Sequence, residues 1–271
     1  MKFFMMLISV LATIVVLLGG NLYWNHKTSV EHFNSTPADA STTAPAKTVS
    51  TPKEKEAKTN AAEPDAKLED YTANWPKKAR SEFKTALKQN KTYKIAIVGS
   101  QAMGSSSNGW GADLKKALKD AYGSHISVAL YPYNLNSDEF IREEKHQEVA
   151  DFAPDMVLFE PFILNDNGQV AMENEFDDIK TAVNAWGKAV ILIQPSYPLY
   201  QATNYPDQVE QLKTFSKMEG YDYLDHWKNW PDPDSDAFKS YVVFSGEEQT
   251  APSAKGEQVW YEYLRDYFIA D

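Results

Sequence analysis

The sequence contains no cysteine. That excludes a disulfide framework, thiolate catalysis and any zinc site built on sulfur. Positive charge is also in short supply. Across 271 residues, 27 Lys and Arg stand against 38 Asp and Glu, a net charge of −11. Phosphate backbones are held by basic faces, so an acidic body argues against nucleic acid as a partner. Two nucleotide signatures are missing as well: the chain carries neither G-x-x-x-x-G-K-[ST] nor a G-x-G-x-x-G following a strand. The acidic turn with Asp232, Asp234 and Asp236 lacks the glycine and closing glutamate of a calcium loop and reads as a solvated turn. No metal site and no cofactor are expected.

What is present begins with an apolar run. "MKFFMMLISVLATIVVLLGGNLYW" has one lysine and then about twenty uncharged, mostly apolar residues, the length that crosses a hydrocarbon core. A secretory signal peptide is the competing reading. Its apolar core is shorter, about 7–15 residues, and ends in a small-x-small cleavage site, which "GGNLYW" does not offer. Tyr23 and Trp24 resemble an interfacial aromatic belt. The expectation is therefore an uncleaved membrane anchor over 1–24, with the chain beyond it outside the cell. Residues 25–67 are rich in Thr, Ala, Ser, Pro, Lys and Glu, with almost no large apolar side chain. Such a segment cannot bury enough surface to offset chain entropy and reads as a disordered linker.

From residue 68 the pattern changes. "LEDYTANWPKKARSEFKTALKQNK" reads as a helix leading into a domain that spans 93–271. Strands are expected at 93–99, 126–133, 155–162, 189–195 and 221–227, and helices at 109–123, 137–152, 174–187, 205–220 and 254–269, with Ser137 as an N-cap. Alternation of this kind implies right-handed crossovers and a parallel sheet with helices on both faces. The continuous runs AIV, MVLF and VILI suit strands buried on both faces. In such sheets ligands bind at the carboxyl ends of the strands.

Two of the loops at those ends carry candidate chemistry. "KIAIVGSQAMGSSSNGW" is a strand entering a tight, small-residue loop; it suits a serine nucleophile on a strained turn, or a plain strand–helix connection. "LFEPFILNDNG" places Asn165 and Asp166 just past a buried strand, where an asparagine amide can donate to a developing oxyanion, or the segment can form an Asx turn. Further along, Tyr197, Tyr200, Tyr205, Trp227 and Trp230 crowd two loops as a stacking platform for sugar rings, or as buried anchors. Among the histidines, His125 falls at the wrong end of its strand, His146 reads as solvated in a charged helix, and His226 lies at the functional end beside Asp225, where it reads first as a half-buried polar residue packed among Tyr223, Trp227 and Trp230 and second as a base.

Taken together, "IAIVGS…GW", "PDMVLFEPFILNDNG" and "TAPSAKGEQVWYEYL" resemble the SGNH/GDSL hydrolases, over roughly 180 residues, an ordinary domain length. The resemblance implies a flavodoxin-like three-layer α/β/α sandwich with a five-stranded parallel sheet, preceded here by one transmembrane helix. It also implies ester hydrolysis by a serine, without a cofactor. The family pattern is Gly-Asp-Ser, then Gly, then Gly-x-Asn-Asp, then Asp-x-x-His. This sequence departs from it in all four blocks; the third keeps Asn165 and Asp166 but replaces its glycine, leaving Phe162, Ile163 and Leu164 before the asparagine. After Gly99 come Ser100 and Gln101, so strict alignment puts Gln101 at the nucleophile position and a one-residue shift puts Ser100 there. Asn134 is the polar residue nearest the second-block glycine, and Ala251 stands where the general base belongs. The resemblance implies Ser100 as nucleophile and Asn165 as oxyanion donor, with His226 as the replacement base to consider. Gly99, Gln101, Asn134, Asp166 and Tyr197 would line the substrate. The expected function is a membrane-anchored, extracytoplasmic serine esterase or O-deacetylase acting on an acylated surface glycan or small ester. The alternative is a catalytically silent module that binds wall glycan or a wall-assembly partner.

Overall fold

The computed structural model describes residues 62–271; the anchor expected over 1–24 and most of the expected linker lie outside the described residues. Among the described residues no helix is long and apolar enough to cross a membrane.

The sheet has five parallel strands in the order β2-β1-β3-β4-β5: β1 Tyr93–Ser100, β2 Ile126–Tyr133, β3 Met156–Phe159, β4 Val190–Ile193 and β5 Asp222–Tyr223. The three central strands are buried over almost their whole length, as their unbroken apolar runs require. Side chains alternate between faces along each strand. Ile95, Ile97, Leu158 and Leu192 enter one core, while Ala96, Val98, Val157, Phe159, Ile191 and Ile193 enter the other. The first core is covered by α3 (Trp110–Tyr122) and α9 (Ala254–Phe268). The second is covered by α4 (Ser137–Arg142), α5 (Lys145–Asp151), α7 (Met172–Ala185) and α8 (Tyr205–Glu219).

The lead-in segment differs from the single helix expected. It forms two helices, α1 (Ala62–Tyr71) and α2 (Lys77–Lys88), separated at Pro76, which caps α2 and cannot continue α1. Residues 62–67, expected in the linker, are helical. The pair is part of the core. Trp75 and Phe83 pack against Tyr93, Tyr122 and Phe268, and the Trp75 indole donates to the Phe268 carbonyl at 3.0 Å. Each such ring buried stabilises by about 1.5–3 kcal/mol, so the folding unit begins at these helices rather than at residue 93.

The helix expected over 137–152 is likewise two, α4 and α5, parted at Glu144 with φ 56°. Its cap is Asn136, not Ser137. Asn136 and Glu139 form a reciprocal capping box, leaving the Ser137 amide free to bond elsewhere. A second sheet was not legible in the sequence: β6 (Val242–Ser245) and β7 (Glu248–Pro252) form an antiparallel hairpin before α9.

Candidate active site

The strand order places β1 between β2 and β3, and the chain crosses from one side of the sheet to the other after β2. In open parallel sheets the crevice beyond the carboxyl ends at this crossover is where ligands bind. The residues there are Ser100, which ends β1, and Glu160, which follows β3.

Those two side chains are joined. The Ser100 hydroxyl donates to Glu160 Oε1 at 2.8 Å, and the Ser100 amide donates to Oε2 at 3.3 Å. Glu160 is fully buried and Ser100 is 5% exposed. Gly99 makes the approach possible, since a Cβ there would sit 2.6 Å from Glu160 Oε2 and 2.7 Å from Glu160 Cβ. Burial pushes the Glu160 carboxyl up to about 7, while hydroxyls of Ser196 and Ser100 and the Ser100 amide pull in the other direction. Ser100 also accepts the Ala102 amide at 3.2 Å, capping the 3-10 turn Gln101–Met103. Gln101, the other candidate nucleophile, is exposed at the start of that turn.

Asn165 and Asp166 lie on the short helix α6 (Ile163–Asp166) and stitch two loops together. The Asn165 amide donates to the Leu135 carbonyl at 2.8 Å, so one of its two amide hydrogens is already committed. Asp166 is buried and accepts the Ser137 amide at 2.7 Å, while the Ser137 hydroxyl donates to Asp178 at 2.8 Å. Beside Asp166 sits Glu175 of α7, fully buried, with both carboxyl oxygens lacking a conventional partner. The two carboxyls lie within hydrogen-bonding reach. A proton held between them partners one oxygen of each carboxyl, and burial followed by the Asp166 charge pushes Glu175 far above the carboxylate range. Asn134 is exposed at the end of β2.

Three expectations are corrected. His226 is not poised as a base. Its Nε2 donates to the Pro195 carbonyl at 3.0 Å and its Nδ1 accepts the Trp230 indole at 3.0 Å. Its ring stacks on Trp260 with centroids 4.4 Å apart. It is wholly buried, and desolvation drives its imidazole down to about 3, so it stays neutral at any ordinary pH. Tyr197 is not an exposed platform either; it is 3% exposed, and Tyr205 and Trp230 are buried with it, because these rings anchor the loops. His146, read as solvated, is buried beneath Phe140.

Sequence reasoning missed Glu160 and Glu175. A signal for Glu160 exists in "MVLFEPF", where a lone charge sits inside an apolar run with no basic residue near it in sequence, the mark of a carboxyl whose ionisation is tuned. Ala251, which aligns with the base of the family pattern, pairs with Val243 across the hairpin and offers only a methyl group there.

With the sheet order, the helices on both faces and the β1/β3 rim in place, solved structures match over most of their own length. An acetylxylan esterase (Axe2) of Geobacillus stearothermophilus, solved as a catalytic mutant, superposes with a TM-score of 0.52 at 13% identity, covering 65% of this chain and 94% of that one. The chain has the SGNH-hydrolase fold. A G-D-S-L family protein of Desulfitobacterium hafniense DCB-2 matches with a TM-score of 0.51 at 16% identity, over 65% of this chain and 99% of that one. A carbohydrate esterase family 3 protein of Talaromyces cellulolyticus matches with a TM-score of 0.50 at 12% identity, over 64% and 95%. No protein-family model matches the SGNH-like chain, and no curated protein sequence is similar to it.

Proposed function

We propose that this SGNH-fold domain is a serine ester hydrolase, held at the outer face of a membrane by its N-terminal segment, acting on a small ester or an acylated surface glycan. The observation that carries the reading is the place of Ser100: it is the last residue of β1, at the β1/β3 crossover, with its hydroxyl hydrogen directed at a buried carboxylate. The resemblance to carbohydrate and acetylxylan esterases supports an acyl-sugar substrate over a phosphorylated one, as does the net charge of −11. The test is hydrolysis of p-nitrophenyl acetate and of an acetylated xylan by the full chain and by Ser100→Ala. The expected loss in Ser100→Ala is about 100-fold or more. Equal rates for the two proteins would remove Ser100 from the reaction.

A second reading is a silent module that binds a glycan or a wall-assembly partner. It is favoured by the locked His226, by the hairpin that occupies the base position, and by the slight exposure of Ser100. Under that reading neither protein turns over ester, and both sediment equally with insoluble cell-wall glycan.

A further inference from the structure

A serine hydroxyl attacks a carbonyl only when a neighbouring group takes its proton. No histidine of the described residues meets that need. His125 precedes β2 at the far end of the sheet, His146 packs within α5, and His226 has both ring nitrogens engaged. Glu160 is different. Its Oε1 already receives the Ser100 hydroxyl hydrogen at 2.8 Å, inside the range a general base requires. A buried carboxylate is costly unless paired, yet the groups bonded to Glu160 are the Ser100 hydroxyl and amide rather than a cation. The absent Gly99 side chain leaves the space into which this carboxyl fits.

We propose, resting on Ser100 as the nucleophile, that Glu160 is the catalytic base that stands in for the missing imidazole. The Ser100 Oγ–H proton passes to Glu160 Oε1 as Oγ forms a bond to the ester carbonyl carbon and the carbonyl electron pair moves onto oxygen. Collapse of that intermediate expels the alcohol oxygen, which takes the proton back from Glu160 and leaves an acylated Ser100. Water then repeats the sequence: it gives a proton to Glu160, attacks the acyl carbon, and Ser100 leaves with the proton returned. Water, ester and the two side chains balance every step. The groups facing Glu160 with protons of their own are Ser100, Ser196, Tyr197 and Tyr205. Burial raises both phenols, Tyr197 to about 12, so neither changes charge in the working range. Glu160 itself titrates near 7, which puts the base form on the alkaline side of neutrality.

The test treats the full chain with an alkyl p-nitrophenyl phosphonate and follows labelling of Ser100 by peptide mass mapping, from about pH 5 to about pH 9. The expected rate climbs about tenfold per pH unit on the acid side, levels above about 7, and falls about 100-fold with loss of the climb in Glu160→Gln. Glu160→Asp, which withdraws the carboxylate by one methylene, keeps the climb at a lower plateau. Glu160→Gln labelling at the wild-type rate, or a wild-type rate flat with pH, overturns Glu160 as base and leaves Ser100 as nucleophile. Absence of any Ser100 label in the wild type overturns both. Should Glu160→Gln fail to give a cooperative melt, the wild-type profile and Glu160→Asp decide the matter alone.

Discussion

Replacing Trp260 with alanine is expected to destabilise the domain by about 3–5 kcal/mol, the upper range for loss of a buried indole. Trp260 has no exposed surface and lies between two rings: Trp110, stacked at 4.5 Å, and His226, stacked at 4.4 Å. Its indole donates to Gln194 Oε1 at 2.9 Å, and the Gln194 amide nitrogen already lacks a partner. The substitution therefore opens a cavity, strips His226 of its stacking face and leaves the buried Gln194 side chain without a hydrogen bond. Urea unfolding measures the loss, and for a domain of this size the melting temperature should drop by about 6–20 °C. Trp260→Phe, which keeps a ring but no N–H, should lose less than half as much. A loss below about 1 kcal/mol for the alanine variant would show that the stack is not a stability element. The same variant separates structure from chemistry: if His226 only supports the fold, the folded fraction of Trp260→Ala still labels at Ser100.

The architecture was legible because burial on two faces leaves an unmistakable trace. AIV, MVLF and VILI have no polar interruption, and each became a central strand. Gly187 and Gly220, both at positive φ, end their helices where they were read to do so. The breaks that were missed depend on single residues whose effect is local. Pro76 divides one amphipathic pattern into two helices, and Glu144 adopts a left-handed conformation that no periodicity reveals. The hairpin 242–252 escaped notice because its strands are short and do not alternate apolar with polar, Val243 and Phe244 being exposed side by side. At the site, Gly99 marked the end of β1 and so the position of Ser100. What the sequence does not encode is the depth of a side chain. His226 lies in a run of aromatic and charged residues that reads equally as a rim or as an interior, and only the stacking of Trp260, thirty-four positions further along the chain, makes it interior. Glu160 was hidden by its neighbour: a charge followed by Pro161 looks like the exit from a strand, whereas the fold turns it back over Gly99.

Glu175→Gln should stabilise the domain by roughly 2–4 kcal/mol at pH 8 and by little at pH 5, the reverse of what removing a buried group usually does. Glu175 is buried at the meeting of α4, α6, α7 and α8, faced by Asp166 and Asp178, with Asp138 beyond Asp178 and the Tyr205 phenol alongside. Every one of those carboxyls is anionic when ionised, so nothing there rewards a charge on Glu175. Its folded-state value lies well above its ordinary one, and the sign follows. The unfolded chain releases the proton near 4.5, while the folded chain keeps it to much higher pH. Stability from this group is therefore complete below about 4.5 and is lost as pH rises toward the folded value, by up to about 1.4 kcal/mol per unit in that window. Asp166 and Asp178 are also raised, chiefly by burial, and act in the same direction. A glutamine keeps a donor for Asp166 and has no proton to lose, so the variant's stability should follow pH less steeply. Urea unfolding of both proteins at about pH 5 and about pH 8 measures the two differences. A variant that is less stable than the wild type at both, by the same amount, would mean that Glu175 is ionised in the fold and that no proton lies between it and Asp166.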